Sequence, residues 1–263
     1  MEEKAHSQSH EPQPKYQVRA IDRATSLLGC FSSERPELGV VELAEMTDIS
    51  RGTAHRLLSS LAHHRLVQQD PVTRRYRLGL RLFELGNLVL ANLQPVELAK
   101  PYLERLVTET GETAHMAIMD EGMAIYVAKV ESRFSIRMGS IVGQRHPCHC
   151  TGLGKVLLAY DSRGVDAVGG ENGLVARTRR TITDRDRLRQ ELMLTRERGY
   201  SVDDEEFEDG LRCIAAPVFD HTGTVVAAIS VSGPTARITE DAVAELAGTT
   251  VNMAKEISLV LGA

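Results

Sequence analysis

Arginine is the first residue type to suggest chemistry. Six lie between Arg51 and Arg77 (Arg51, Arg56, Arg65, Arg74, Arg75 and Arg77) against a single acid, Asp70. Guanidinium forks pair with phosphate oxygens and with guanine edges, so this cluster points to nucleic acid. A second set is His146-Pro147-Cys148-His149-Cys150, which combines imidazole and thiol, the donors zinc prefers. Thr151-Gly152-Leu153-Gly154-Lys155 follows at once. Its small residues open a helix whose bare amides and positive end suit a carboxylate or phosphate. It is not a P-loop, because His149 stands where the first glycine belongs and Val156 where Ser or Thr does. In a third set, Ser201 to Glu208, five of eight residues are acidic. Taken alone, that run reads as a solvated loop ahead of an apolar strand beginning at Cys213.

The arginines need an element to present them. Ile21, Ala24, Leu27, Leu28 and Phe31 make a helical stripe and predict a first helix over about Val18–Ser33. Val41, Leu43, Ala44 and Met46 predict a second, and Thr47-Asp48-Ile49 a tight turn. Asp48 takes a place where glycine is common, and Asp tolerates left-handed backbone. Ser50 is a helix N-cap. Beyond it Ala54, Leu57, Leu58 and Leu61 face inward, leaving Arg51, Thr53, His55 and Arg56 outward. Val67–Leu78 then alternates as a hairpin around Asp70-Pro71-Val72-Thr73, leaving Arg74, Arg75 and Arg77 free for the phosphate backbone. This order is a winged helix-turn-helix, whose third helix enters a major groove. The expected DNA contacts are Ser50, Arg51, Thr53, His55, Arg56, Arg74, Arg75 and Arg77. One such module reads few base pairs, so a dimer is expected. The apolar helix over Leu80–Leu93 is the expected linker and dimer contact.

From Pro95 the pattern is mixed. A helix over Val96–Thr108 closes at Gly111. Strands are expected over Thr113–Met119, Met123–Lys129, Ser135–Ile141, Cys213–Phe219 and Val225–Ser232. Helices are expected over Leu153–Tyr160, Arg185–Arg198 and Glu240–Leu261. The fold class is α+β, an antiparallel sheet with helices packed on it. The expected domains are a disordered tail (1–16), a winged helix-turn-helix (17–79), a linker (80–95) and an effector domain (96–263).

Charge follows the same division. Residues 17–80 carry nine arginines against seven acids, whereas residues 81–263 carry 20 Lys+Arg against 26 Asp+Glu. A positive first module joined to an acidic remainder fits a DNA reader with a separate sensor. No run approaches a membrane span. The four cysteines lack disulfide-framework spacing and suggest free thiols in a cytoplasmic protein. A Cys–His nucleophile needs an oriented base, which nearness in sequence does not supply, so no catalytic residue is expected, and no cofactor or metal.

Together these motifs resemble the IclR family of bacterial transcriptional regulators across about residues 17 to 261. The resemblance rests on Thr47-Asp48-Ile49-Ser50 with His55-Arg56-Leu57-Leu58, on Leu153–Ala159, on Gly199–Glu206, on Gly210–Ala215 and on Ala228–Pro234. The family usually has glycine at the place of Asp48 and alanine at that of Cys150. The resemblance implies a winged-helix domain, a linker helix and a GAF-like effector-binding domain, assembled as a dimer or dimer of dimers. It also implies a pocket in which Gly152 and Leu153 offer amides to a carboxylate. Asp203 and Cys213 would line the opposite wall, and Ser230 and Ser232 would supply hydroxyls. The expected function is a metabolite-responsive regulator, read as a repressor of a catabolic operon, with operator DNA and a small organic-acid or sugar-acid effector as partners. The alternative is a metal or redox sensor built on His146, Cys148, Cys150 and Cys213.

Overall fold

The computed structural model describes residues 18–91, 93–135, 139–170 and 173–263. The tail expected over residues 1–16 lies outside the described residues. The chain divides into two compact units, up to Val89 and from Leu90 onward.

In the first unit, α1 (Arg19–Leu28), α2 (Val40–Met46) and α3 (Arg51–His63) enclose a core of Leu27, Leu38, Leu43, Leu58, Val67 and Tyr76. α1 stops five residues short of the expected Ser33. Gly29 weakens the helix there, and Ser32 and Arg35 bond each other's backbone instead of continuing it. Of the α1 stripe only Leu27 is fully buried, and Ile21 is exposed. Asp48 adopts φ 51°, the left-handed turn expected of it. β1 (Val67–Gln69) and β2 (Tyr76–Leu78) pair antiparallel, and Leu38 adds a bridge to Tyr76 on the far side. The hairpin turn runs longer than expected because Arg74 is itself left-handed, at φ 59°. Leu78, expected to be half-buried, is exposed. α4 (Leu80–Ala91) follows, and its side chains Leu80 and Phe83 are exposed in the single chain.

The second unit holds α5 (Gln94–Thr110), β3 (Thr113–Asp120), β4 (Met123–Val130), β5 (Arg145–Pro147), α6 (Gly152–Tyr160), α7 (Arg185–Arg198), β6 (Ser201–Asp204), β7 (Leu211–Phe219), β8 (Val225–Pro234) and α8 (Val243–Val260). The strands form one antiparallel sheet in the order β5-β4-β3-β8-β7-β6. Period-two alternation sends Met116, Ile214, Ile229 and Val231 to one face, under α5 and α8. Ala117, Ala215 and Ala228 go to the other, under α6 and α7. Those alanines let α6 approach closely. The β3–β4 register slips at Met116/Ala117. Val127 is the extra residue of this bulge, so it and Ala128 both pack toward α5 and α8 while Tyr126 shares the α6 face with Ala124.

Two strand expectations need correction. Of Ser135–Ile141, residues 136–138 lie outside the described residues, and the rest is loop. The strand that pairs with β4 is the shorter Arg145–Pro147. The acidic run after Gly199 is not a loop throughout, because Ser201–Asp204 forms edge strand β6. Among the described residues no helix is long and apolar enough to cross a membrane.

Candidate functional site

The arginine-bearing side of α3 is open. Arg51, His55 and Arg56 are exposed, and among the described residues neither arginine has an ion-pair partner. Ser50 caps the helix by accepting from Thr53 N at 3.3 Å, and its hydroxyl donates to Thr53 Oγ1 at 2.9 Å. Polar groups therefore ring the helix N-terminus, where partial positive charge already favours phosphate. The hairpin arginines differ from one another. Arg77 donates to Gln68 Oε1 at 3.2 Å. Arg75 is not free as expected: its guanidinium pairs with Glu42 at 2.8 Å and donates to the Glu37 carbonyl at 3.0 Å. That pairing and a hydrogen bond from Gly39 N hold the Glu42 carboxyl below its usual range, the backbone bond contributing most.

In the second unit, strand register builds a polar patch from residues far apart in sequence. Thr113, Ser232, Cys213 and Asp203 stand in one row across β3, β8, β7 and β6. His115, Ser230, Ala215 and Ser201 form the next row. Both rows lie on the α6 face. The first turn of α6 sits directly on them. A Cβ on Gly152 would meet Cys213 Sγ at 2.9 Å, and Ser201 Oγ donates to the Gly152 carbonyl at 2.6 Å. Thr151 Oγ1 accepts from Gly154 N. The amides of Gly152 and Leu153 precede the first intrahelical bond, so they are available to an anion. The structure thus brings together all six effector residues expected from the sequence: Gly152, Leu153, Asp203, Cys213, Ser230 and Ser232.

Charge in this patch is unusual. Lys155 is 1% exposed, and its ammonium donates to the Val202 carbonyl at 2.6 Å, pairs with Glu206 and lies 3.4 Å from Glu191. Asp203 Oδ1 accepts from Glu206 N at 2.8 Å. Burial and the neighbouring Glu206 push the Asp203 carboxyl up to about 7, so at neutral pH a large share of it carries no charge to repel an anion. Among the described residues Ser230 Oγ makes no hydrogen bond to oxygen or nitrogen, and the weakly polar Cys213 thiol approaches it.

The metal alternative is not assembled. Cys148–Cys150 lies in a 3-10 turn rather than on an extended strand, so the side chains of His146, Cys148 and Cys150 do not share one face. Burial pushes the thiols of Cys148 and Cys150 up to about 12, which opposes thiolate chemistry. Among the described residues no group of three His, Cys, Asp or Glu side chains is placed to hold a metal.

Sequence reasoning missed Thr113, His115, Tyr126, Lys155 and Glu206. Two signals were present. Lys155 is the one charge in the apolar run Leu153–Ala159, and Thr113 and His115 are polar at alternate positions of an apolar strand.

The family described as "Bacterial transcriptional regulator IclR C-terminal" matches residues 87–259, and the IclR helix-turn-helix domain matches residues 20–71. The transcriptional regulator KdgR of Escherichia coli K12 is 36% identical over 246 residues, 93% of each chain. The transcriptional repressor IclR of the same strain is 35% identical over 249 residues, 94% of this chain and 91% of that one. The solved structure of Thermotoga maritima IclR aligns with a TM-score of 0.74 at 32% identity, covering 93% of this chain and 99% of that one. With helix-turn-helix, antiparallel sheet and both family matches in agreement, the chain belongs to the IclR family of bacterial transcriptional regulators, a family of regulators rather than enzymes.

Proposed function

We propose that this chain is a cytoplasmic, metabolite-responsive repressor of a catabolic operon. It binds operator DNA as a dimer or dimer of dimers through α3 and the β1–β2 hairpin. A small carboxylate held between the α6 amides and the Ser230/Ser232 hydroxyls alters that binding. The observation that carries the reading is the buried polar patch under the α6 N-terminus, in a layer otherwise packed with alanine and leucine. A polar patch without a full set of partners destabilises a core, so its presence is best accounted for by a ligand. Coupling between operator and effector is typically about 1–3 kcal/mol, enough to change operator occupancy several-fold.

Two mutant sets test the two halves. Arg51→Ala or Arg56→Ala is expected to weaken operator binding by about tenfold to a hundredfold in a gel-shift titration at fixed salt. Unchanged shifts for both variants would remove α3 from the interface. Ser230→Ala or Ser232→Ala is expected to blunt the effector response with operator affinity retained. A variant that instead unfolds would mark these hydroxyls as structural.

A further inference from the structure

The carboxylate reading leaves a second cluster on the same sheet face without a task. His115 stands directly across from Ser230 in register. It is fully buried, and its Nε2 shares a 2.6 Å hydrogen bond with Ser140 Oγ. Its Nδ1 has no partner among the described residues. The Tyr126 ring lies 4.9 Å from that imidazole and 4.5 Å from the ring of His146, which meets the edge of Phe207 at 5.0 Å. His146 is also buried, and its Nε2 is likewise without a partner. Three buried polar atoms, Ser230 Oγ, His115 Nδ1 and His146 Nε2, are therefore unsatisfied among the described residues, and the two imidazoles flank one tyrosine.

The nearby charges do not protonate these rings. Lys129 is the cross-strand neighbour of His115, and Arg177 approaches His146. Both are cations. Lys129 is itself engaged by Glu131 and the Ser140 carbonyl, and Arg177 stacks on Phe207. Burial, followed by these cations, holds His115 down to about 3 and His146 to about 4. A neutral imidazole offers one donor and one acceptor and no net charge. It can satisfy a hydroxyl but gives nothing to offset burial of a second carboxylate.

We propose that His115 and His146, on either side of Tyr126, read an uncharged hydroxyl-bearing tail of the effector, so that the site selects hydroxylated monocarboxylates over plain acids and dicarboxylates. The proposal rests on the carboxylate reading above. Opposed residues in an antiparallel pair lie about 5 Å apart at Cβ. The hydroxyl read by His115 therefore sits on the carbons next to the carboxylate held by Ser230. Both histidines are specificity-determining contacts rather than anion ligands.

The test is a calorimetric titration of the full chain with acids matched in length: glycerate against propionate, gluconate against hexanoate, and glucarate against adipate. At least one hydroxylated monocarboxylate is expected to bind about tenfold to a hundredfold more tightly than its plain counterpart and than the dicarboxylates. His115→Leu and, separately, His146→Leu should erase that preference, so that the hydroxylated and plain acid of each pair bind about equally. His115→Gln, which keeps a donor and an acceptor, should retain part of it. Retained operator binding serves as the folding control. Equal affinity for hydroxylated and plain acids, with binding still weakened by Ser230→Ala, would overturn this proposal and leave the carboxylate reading standing. Binding insensitive to Ser230→Ala, or no binding by any of the acids, would overturn both.

Discussion

Lys155→Ala is expected to lower the unfolding free energy of the second unit by about 3–5 kcal/mol, the range for breaking a buried ion pair from one side. The ammonium serves three acceptors: the Val202 carbonyl, Glu206 and Glu191. Removing it strands Glu206, which is 7% exposed and whose Oε2 already lacks a partner among the described residues. Burial already raises the Glu206 carboxyl above its ordinary range, and Lys155 opposes that rise. Without Lys155 the native-state carboxyl binds its proton still more tightly. The sign then follows: a carboxyl raised on folding supplies stability that is fully present below its unfolded pKa and lost as pH rises. The defect should be small in acid and grow toward neutral pH, where Glu206 must either ionise unpaired or hold a proton. Denaturant unfolding at two pH values checks this. Lys155→Met combined with Glu206→Leu should lose less than Lys155→Ala alone, because the Glu206 carboxylate is removed together with its partner. A loss under about 1 kcal/mol at neutral pH for Lys155→Ala would mean that water reaches the pair and screens it.

Local signals fared better than long-range ones. The helix-turn-helix was legible because it is built from neighbours: the Ser50 cap, the left-handed Asp48 and the inward Ala54, Leu58 and Leu61 all lie within fourteen consecutive residues. The strands Thr113–Met119 and Met123–Lys129 were legible for the same reason, being joined by a tight turn in which Glu121 and Gly122 both take positive φ. The polar patch is a product of pairing. β3 and β8 are adjacent although more than a hundred residues separate them, and only that pairing sets His115 opposite Ser230. β6 was hidden because an edge strand tolerates charge. Asp204 reaches outward to Arg212, at 2.7 Å from Nε, while Asp203 points inward, so an acidic run alternates as a strand without an apolar signature. Arg75 shows a further limit. A charged side chain on a strand reads as free until a distant partner is placed beside it, here Glu42 at the start of α2.

Gly154→Ala is the second large effect, and it separates packing at the α6 N-terminus from the chemistry there. A Cβ at this position would lie 2.3 Å from Cys148 Cα, 2.6 Å from the Cys148 carbonyl oxygen and 2.5 Å from Thr151 Oγ1. The first two are backbone atoms, which no rotamer change can move. The third is the oxygen that caps the helix and also donates to the Pro147 carbonyl at 2.9 Å. The added methyl must therefore lift the first turn of α6 off the 3-10 turn beneath it. Overpacking and loss of the cap together are expected to destabilise the second unit by about 2–4 kcal/mol. Gly248, in the middle of α8, is the control. Nothing lies within 4 Å of a Cβ built there, so Gly248→Ala should be neutral or stabilise by up to about 1 kcal/mol through helix propensity. Lifting α6 also moves the Gly152 and Leu153 amides away from the Cys213 row, which lies so close that a Cβ on Gly152 would come within 2.9 Å of Cys213 Sγ. Effector affinity should then fall even at temperatures where the variant remains folded, because an anion held by amides depends on their convergence with Ser230 and Ser232. Thermal unfolding and acid titration on the same sample decide the matter. A destabilised variant with unchanged affinity would place the effector away from the α6 amides, and an undiminished melting temperature would mean the turn at Cys148 yields without strain.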